Sequence, residues 1–299
     1  MKPYEIILEK IIKIMEKEKT LIWQKDWVSL SHKNFATKRP YEGYVNRMLL
    51  SYEMKRKEYS YPYWLTFKQA KEKGWTVRKG EKGTPVIYYS MYKIEETVVD
   101  EEEREKVVEL EIPILRYYYV FNIQQLNEFP ETEKQLKKSG LVTQATQEQE
   151  NLEKLLMDYC RNEGIRVSTG EPAYSPKFDA IRMLPKELFK GEIAYLGTFA
   201  HETVHSTGHP KRLNRFTRVW EEKEEYAFEE LIAEIGSSFL LQKYGIMDNR
   251  TTMNNAAYIK GWIRYFREHK KALFMAAAKA EKAIAYIERA AAIQNKDVA

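Results

Sequence analysis

The pentapeptide His201-Glu202-Thr203-Val204-His205 constrains this chain more than any other stretch. On a helix, residues four apart share one face, with Cβ atoms about 5–6 Å apart. Two imidazoles at that spacing suit one metal ion. The Glu between them projects near the same point, where a carboxylate can act as general base in metal-assisted hydrolysis. The flanks predict the helix. Residues 191–200, GEIAYLGTFA, carry no helix breaker after Gly191 and set Ile193, Leu196 and Ala200 at helical spacing. Gly208 and Pro210 then stop the helix just past the second His. The chain has 5 His, three of them within 201–209. The competing reading is a core helix with two satisfied histidines.

A catalytic zinc needs a third protein ligand. His209 is the nearest, but metzincin-like spacing would put the third His at position 211, which is Lys211. Continuing a helix through Gly208 to present His209 is also unfavourable. Downstream, the stretch from Tyr226 to Glu234 places Glu230 and Glu234 four apart on a second apolar-periodic helix. This resembles the gluzincin arrangement. The resemblance implies Glu230 as the ligand of a catalytic Zn2+ and Glu234 as the acidic residue that orients the first His, with the two roles exchangeable. A solvated helix face is the alternative for each Glu, since EEKEEYAFEE from Glu221 to Glu230 is acidic throughout.

With 299 residues the chain reads as two domains. No apolar run approaches the length of a membrane-spanning helix. The N-terminal MKPYEIILEKIIKIMEKEKT keeps acquiring charges where a signal peptide would hold a continuous apolar core. Cys160 is the single cysteine, so neither an intrachain disulfide nor a thiolate zinc cluster can form, and a reducing, cytoplasmic setting fits. The net charge of +5 is unevenly spread. Residues 1–94 hold 20 Lys and Arg against 10 Asp and Glu, and residues 95–111 hold nine acidic residues against Arg104 and Lys106. A basic module followed by an acidic insertion suggests a polyanion partner, although lysines also serve solubility.

Residues 4–19 carry the stripe of an amphipathic helix. Met48 to Met54 and Leu65 to Lys73 read as short helices. Trp75 to Tyr89 reads as two strands around a basic, glycine-containing turn, and Arg116 to Gln124 as a further strand. Residues 1–94 contain 16 aromatic residues interleaved with Lys and Arg. That combination serves a single-stranded nucleic-acid binder, in which cations follow phosphates and rings stack on bases. The plain alternative is that most aromatics of a small domain are core.

WQKDW, YEGYVN, YWLTFKQA, VRKGEKGTPVIYY and VFNIQQL resemble the N-terminal domain of ArdC-type antirestriction proteins. HSTGHPKRLNR, EELIAEIG, AAYIKGWI and the Ala-rich end resemble their zincin-like metallopeptidase domain. The resemblance implies an α+β chain of two domains. Residues 1–130 would be a small basic α/β domain that binds single-stranded DNA; the acidic insertion at 95–111 matches none of these motifs and reads as a variable hairpin or loop. Residues 131–150 would be a linker, and 151–299 a mainly helical metallopeptidase domain with an edge strand. It also implies a cytoplasmic protein of a mobile element that protects incoming DNA from restriction, with Glu202 as general base and His201, His205 and Glu230 holding zinc. The residues assigned to the DNA surface are Trp23, Lys25, Trp27, Lys38, Arg39, Asn46, Trp64, Lys68, Arg78, Lys79 and Lys82. The protein substrate and oligomeric state carry no sequence signature. A non-enzymatic factor that shields DNA, with a structural or idle metal site, is the competing function.

The resemblance to zincins implies that residues 179–184 form an edge strand that holds a substrate peptide by strand addition; a plain structural strand is the alternative. Tyr226 is the candidate oxyanion partner. The basic run from Lys211 to Arg215 either anchors its own loop to the acidic stretch at 221–230 or reaches DNA.

Overall fold

The structure is a computed structural model that describes residues 2–24, 31–99, 105–129, 133–134, 149–216, 223–246 and 256–292. Helix α1 (Pro3–Glu18) starts with Pro at its first turn, where no amide hydrogen is required, and it buries Ile7, Leu8, Ile11, Ile12, Ile14 and Met15. A single 3-10 turn, Ile22–Gln24, follows. The first sheet has the order β1-β2-β4-β3, built from β1 (Lys33–Asn34), β2 (Tyr63–Thr66), β3 (Thr84–Val99) and β4 (Glu105–Asn122). Strand β1 runs parallel to β2, and the other neighbours are antiparallel. Helix α2 (Tyr44–Arg56) packs on β3. Helix α3 (Phe67–Glu72) leaves β2 through a capping box, in which Thr66 Oγ1 accepts from Gln69 N at 3.2 Å and Gln69 Oε1 accepts from Thr66 N at 2.9 Å.

One sequence expectation changes here. Of the strand pair expected over 75–89, the first half makes only an isolated bridge from Val77 to Leu126, and the strand proper starts at Thr84. Gly74 and Gly80 in left-handed conformations, together with Gly83, give residues 74–83 the geometry of turns rather than of a pleat. The acidic segment 95–111 continues the β3–β4 hairpin, with backbone pairing from Glu95 opposite Glu109 to Val99 opposite Glu105; residues 100–104 lie outside the described residues.

The second half begins with α4 (Gln149–Asn162) and a small sheet of order β5-β7-β6, from β5 (Arg166–Thr169), β6 (Ala173–Ser175) and β7 (Ala180–Met183). Helices α5 (Glu192–Ser206), α6 (Lys223–Lys243), α7 (Ala256–Glu268) and α8 (Ala272–Ala291) complete it. The expected edge strand at 179–184 is instead β7, the middle strand, parallel to β5 and antiparallel to β6. Ala180, Ile181 and Met183 are buried and only Arg182 is exposed, as suits a strand paired along both edges and packed against α5. The edge facing α5 belongs to β6. Most of the expected linker, 135–148, lies outside the described residues.

One apolar cluster joins the two halves. It runs from Ile7, Ile11 and Met15 of α1 and Tyr44 and Leu49 of α2 to Leu231 and Leu240 of α6, Phe266 of α7 and Ile284 of α8. Trp23, fully buried, is the hinge pin of this contact. Its ring meets Trp262 and Phe266 edge-on, at 6.3 and 5.9 Å between centroids.

Candidate metal centre

Helix α5 opens after Gly191, at φ 96°, and closes at Thr207. The chain then turns tightly through Gly208, where a Cβ would stand 2.6 Å from the Phe216 ring. Within α5 the two histidines share a face, as their spacing requires. His201 Nε2 and His205 Nε2 lie 3.1 Å apart. Glu230 arrives from α6, with Oε2 at 3.4 Å from His201 Nε2 and Oε1 at 3.4 Å from His205 Nε2. One donor atom of each lies within 4.8 Å of the other two. The helices can approach this closely because Gly236 of α6 has no side chain. A Cβ there would stand 3.0 Å from both γ-methyls of Val204.

Two imidazole nitrogens facing each other at hydrogen-bond distance, with a carboxylate bridging them, are a donor set that a divalent cation satisfies. The His2Glu set suits zinc, and imidazole with carboxylate oxygen also suits manganese. In the metal-free chain the donors hold one another's charge. Burial works to lower the His205 pKa, but hydrogen bonds and charge from Glu229 and Glu230 outweigh it and raise it to about 9. Burial works to raise that of Glu230, and the two histidines outweigh it, holding the carboxyl well below its usual range.

The surroundings contain a residue that the sequence did not single out. Glu229 is buried, with Oε1 3.5 Å from His205 Nδ1, on the side away from Glu230. Arg215 holds it with two bonds, Nε to Oε2 at 3.0 Å and Nη2 to Oε1 at 2.6 Å. Glu234, expected to orient the first His, accepts instead from Trp23 Nε1 at 3.2 Å and from the Tyr258 hydroxyl. Burial raises its pKa, opposed by the Tyr258 bond and by the nearby His201 charge, so Glu234 stays electrostatically coupled to the first His. The signal for Glu229 was present in the run of adjacent glutamates and in the basic loop before it, but pairing Arg215 with Glu229 requires the turn at Gly208 to be known.

That basic loop anchors internally. Arg212 donates to Ser206 O at 2.7 Å and to the Tyr174 hydroxyl at 3.1 Å, and it pairs with Asp179. Its side chain is 1% exposed, and that of Arg215 is 6% exposed. His209 stands outside the donor set, 3.9 Å from Asp179. Glu202 is buried, and its Oε2 accepts from the backbone N–H of Tyr174 in β6 at 2.7 Å. Tyr226 is half exposed beside Glu230. Burial first, then its hydrogen bond to Glu230 and the Glu230 and Glu202 charges, push its hydroxyl up to about 12.

The residues assigned to the DNA surface divide. Lys38, Arg39, Lys68, Arg78, Lys79 and Lys82 are exposed. Trp23, Trp64 and Asn46 are buried and offer no face to a base, which corrects their assignment. Trp64 donates from Nε1 to His32 Nδ1 at 3.1 Å, and Asn46 bridges Glu42 O and Ile87 O at 2.7 Å each. Lys25 and Trp27 lie outside the described residues.

Comparison with known proteins gives two family matches. Residues 1–121 match the N-terminal domain of anti-restriction factor ArdC, and residues 150–279 match a zincin-like metallopeptidase. The crystal structure of antirestriction ArdC protein from plasmid R388, metal-free, superposes with TM-score 0.69 at 33% identity, covering 97% of each chain. Its Mn(II)-bound structure gives TM-score 0.69 at 32% identity, covering 97% of this chain and 98% of that one. DNA primase TraC of Escherichia coli is 32% identical over 94% of this chain, which spans only 26% of the TraC length. The uncharacterized protein y4eC of Sinorhizobium fredii is 26% identical over 93% of this chain and 89% of its own length. Among the described residues, no helix is long and apolar enough to cross a membrane.

Proposed function

The chain belongs to the ArdC antirestriction family and carries its zincin-like domain, and on that premise we propose that it is a metal-dependent peptidase that also binds single-stranded DNA. The observation that carries the peptidase reading is the convergence of His201, His205 and Glu230 beside a Glu202 held by a backbone amide. These three residues would hold a divalent ion, zinc or manganese by the chemistry of the donors. When bound, such an ion supplies Lewis acidity, polarising a scissile carbonyl and lowering the pKa of water.

The chain's own residues supply the rest. Glu202 takes a proton from the attacking water and passes it to the leaving amine. The Tyr174 N–H fixes Oε2 at 2.7 Å, which leaves Oε1 for the proton. Tyr226, whose hydroxyl meets Glu230 in the metal-free chain, would exchange that bond for one to the developing oxyanion once Glu230 is engaged as a ligand. Strand β6, at the sheet edge beside α5, offers the backbone along which an extended peptide would lie. The basic, aromatic first half supports the DNA reading, through the exposed lysines and arginines named above.

The test compares wild type with Glu202→Gln. Both are loaded with zinc or manganese, incubated with single-stranded DNA and candidate proteins, themselves included, and read by intact mass. The reading expects cleavage by wild type alone, with metal binding equal in both. If no candidate is cut by wild type, or Glu202→Gln cuts equally, Glu202 is not the base of a peptidase. A DNA-shielding role without proteolysis then takes its place, provided the DNA is still bound.

A further inference from the structure

Strand β4 turns its side chains alternately to the two faces of the first sheet. Tyr118, Val120 and Asn122 go inward, where Val120 packs with Trp64 and Val86. Tyr117, Tyr119 and Phe121 share the opposite face. There Tyr119 is 47% exposed and Phe67, at the start of α3, is 61% exposed. Phe67 and Phe121 stand 6.4 Å apart between ring centroids, and Tyr117 and Tyr119 5.8 Å apart. Tyr117 and Phe121 are half-buried, while Tyr119 and Phe67 face water, an unfavourable arrangement unless something covers them.

The chain passes close against this row at one residue that has no side chain. At Gly83 a Cβ would come within 2.9 Å of Tyr119 Cβ, 3.2 Å of the Phe121 ring and 3.3 Å of Val120 O. The bare glycine lets β3 begin against the row without covering it. From Gly83, Pro85 and Tyr119 a groove of about 960 Å³ leads between α1 and the end of α2. Six cations line it (Lys10, Lys13, Lys17, Arg56, Arg267 and Lys270); Lys10 and Arg56 pair with Glu53, Arg267 with Glu16 and Lys270 with Glu5, so its outward positive charge lies chiefly on Lys13 and Lys17. Lys68, with its side chain 87% exposed, follows Phe67, and exposed Lys82 precedes Gly83.

We propose that single-stranded nucleic acid stacks its bases on Phe67, Phe121 and Tyr119 and threads its phosphates through the cationic groove beside α1. This rests on the DNA-binding reading above and adds the surface. Exposed ring faces beside cations fit unpaired bases, which present π-faces for stacking, whereas bases inside a duplex are already stacked on each other.

The test is fluorescence anisotropy of a labelled single-stranded oligothymidylate of about 16 nucleotides, titrated with the full chain at several salt concentrations. Tyr119→Ala and Phe67→Ala should each weaken binding by about 5- to 150-fold, as expected for one lost stacking ring. Tyr119→Phe, which keeps the ring, should bind as wild type does. Lys13→Glu with Lys17→Glu should weaken binding and flatten its salt dependence. Unchanged far-UV circular dichroism guards against unfolding, and both ring positions are exposed enough to tolerate the change. If wild type binds no oligonucleotide, the DNA-binding reading fails and this proposal with it. If wild type binds and the Phe67→Ala/Tyr119→Ala double variant stays within about twofold, only the surface assignment is overturned. Lys38→Glu with Lys73→Glu then examines the other cationic–aromatic cluster, where Lys38 Nζ lies 4.1 Å from the Phe35 ring centroid and Lys73 Nζ 5.3 Å from that of Trp75.

Discussion

At the scale of single residues, the metal centre is a set of charges that compensate one another. His205 sits between Glu230 on its Nε2 side and Glu229 on its Nδ1 side. A carboxylate behind a ligating imidazole fixes ring orientation and strengthens the donor, and its removal typically lowers metal affinity by about 10- to 100-fold. Glu229→Gln should therefore weaken zinc or manganese binding by that factor in calorimetric titration, while Glu234→Gln, which meets Trp23 and Tyr258 instead, should leave affinity nearly unchanged. The pH dependence has a definite sign. His205 is raised from 6.5 to about 9 in the metal-free chain, so the proton must leave before a metal binds. Affinity should climb by up to about tenfold per pH unit below 9 and flatten above it, with proton release measurable by titration in buffers of different ionisation enthalpy. In the metal-free chain the linkage runs the other way. The raised pKa contributes stability below pH 6.5, which is lost as pH rises through about 9. An affinity independent of pH between 6.5 and 9 would refute this account of His205.

At the scale of elements, the sequence is legible wherever geometry is local. The four-residue spacings placed His201 with His205 and showed which stretches are helical, because the periods of helices are properties of the backbone alone. Trp64 and Asn46 were misread because composition cannot tell a ring that stacks on a ligand from one that fills a core. Asn46 is a brace between elements: its Nδ2 donates to Glu42 O and Ile87 O, and its Oδ1 accepts from Ile87 N, each at 2.7 Å. Asn46→Ala leaves the part-buried N–H and C=O of Ile87 without these bonds and should cost about 1–3 kcal/mol in urea unfolding. The salt dependence of DNA binding should not move. The position of β7 was equally hidden, since strand order depends on pairings that the sequence does not spell out. Helix packing makes the sharpest demand. Gly236→Ala presses a methyl against Val204 at 3.0 Å, so α5 and α6 must separate. Overpacking of this kind costs about 1–3 kcal/mol, and it also withdraws Glu230 from the histidine pair. Thermal unfolding and metal titration should both report the loss. Full metal affinity in a destabilised Gly236→Ala chain would show that the donor set does not depend on this helix contact.

At the scale of the whole molecule, the two family-matched segments share one interior. Helix α1 and the Trp23 turn lie in the same apolar cluster as α6, α7 and α8. Polar ties run across the same boundary: Ser238 and Gln242 of α6 donate to Trp23 O, Trp23 Nε1 reaches Glu234, and Arg47 meets Glu281 at 3.1 Å. Tyr44 and Phe239 meet edge-on, at 5.2 Å between centroids. The sequence suggested two modules because it shows composition, and composition does change near residue 95. It does not show that the apolar face of α1 is covered by helices more than two hundred residues away. With a common core, neither half can expose its apolar face to water without the other, so the chain should unfold cooperatively. Near-UV and far-UV circular dichroism should report one coincident thermal transition. Metal at about 100 times its Kd adds about 2.7 kcal/mol to the folded state, so the single transition should move upward as a whole. Trp23→Phe removes the bond to Glu234 and loosens the ring contacts with Trp262 and Phe266. It should lower that transition and uncouple part of the first half from the metal-dependent shift. Two transitions in the wild-type chain, only one of them raised by metal, would instead mean that the halves fold independently and that the shared cluster contributes contact without cooperativity.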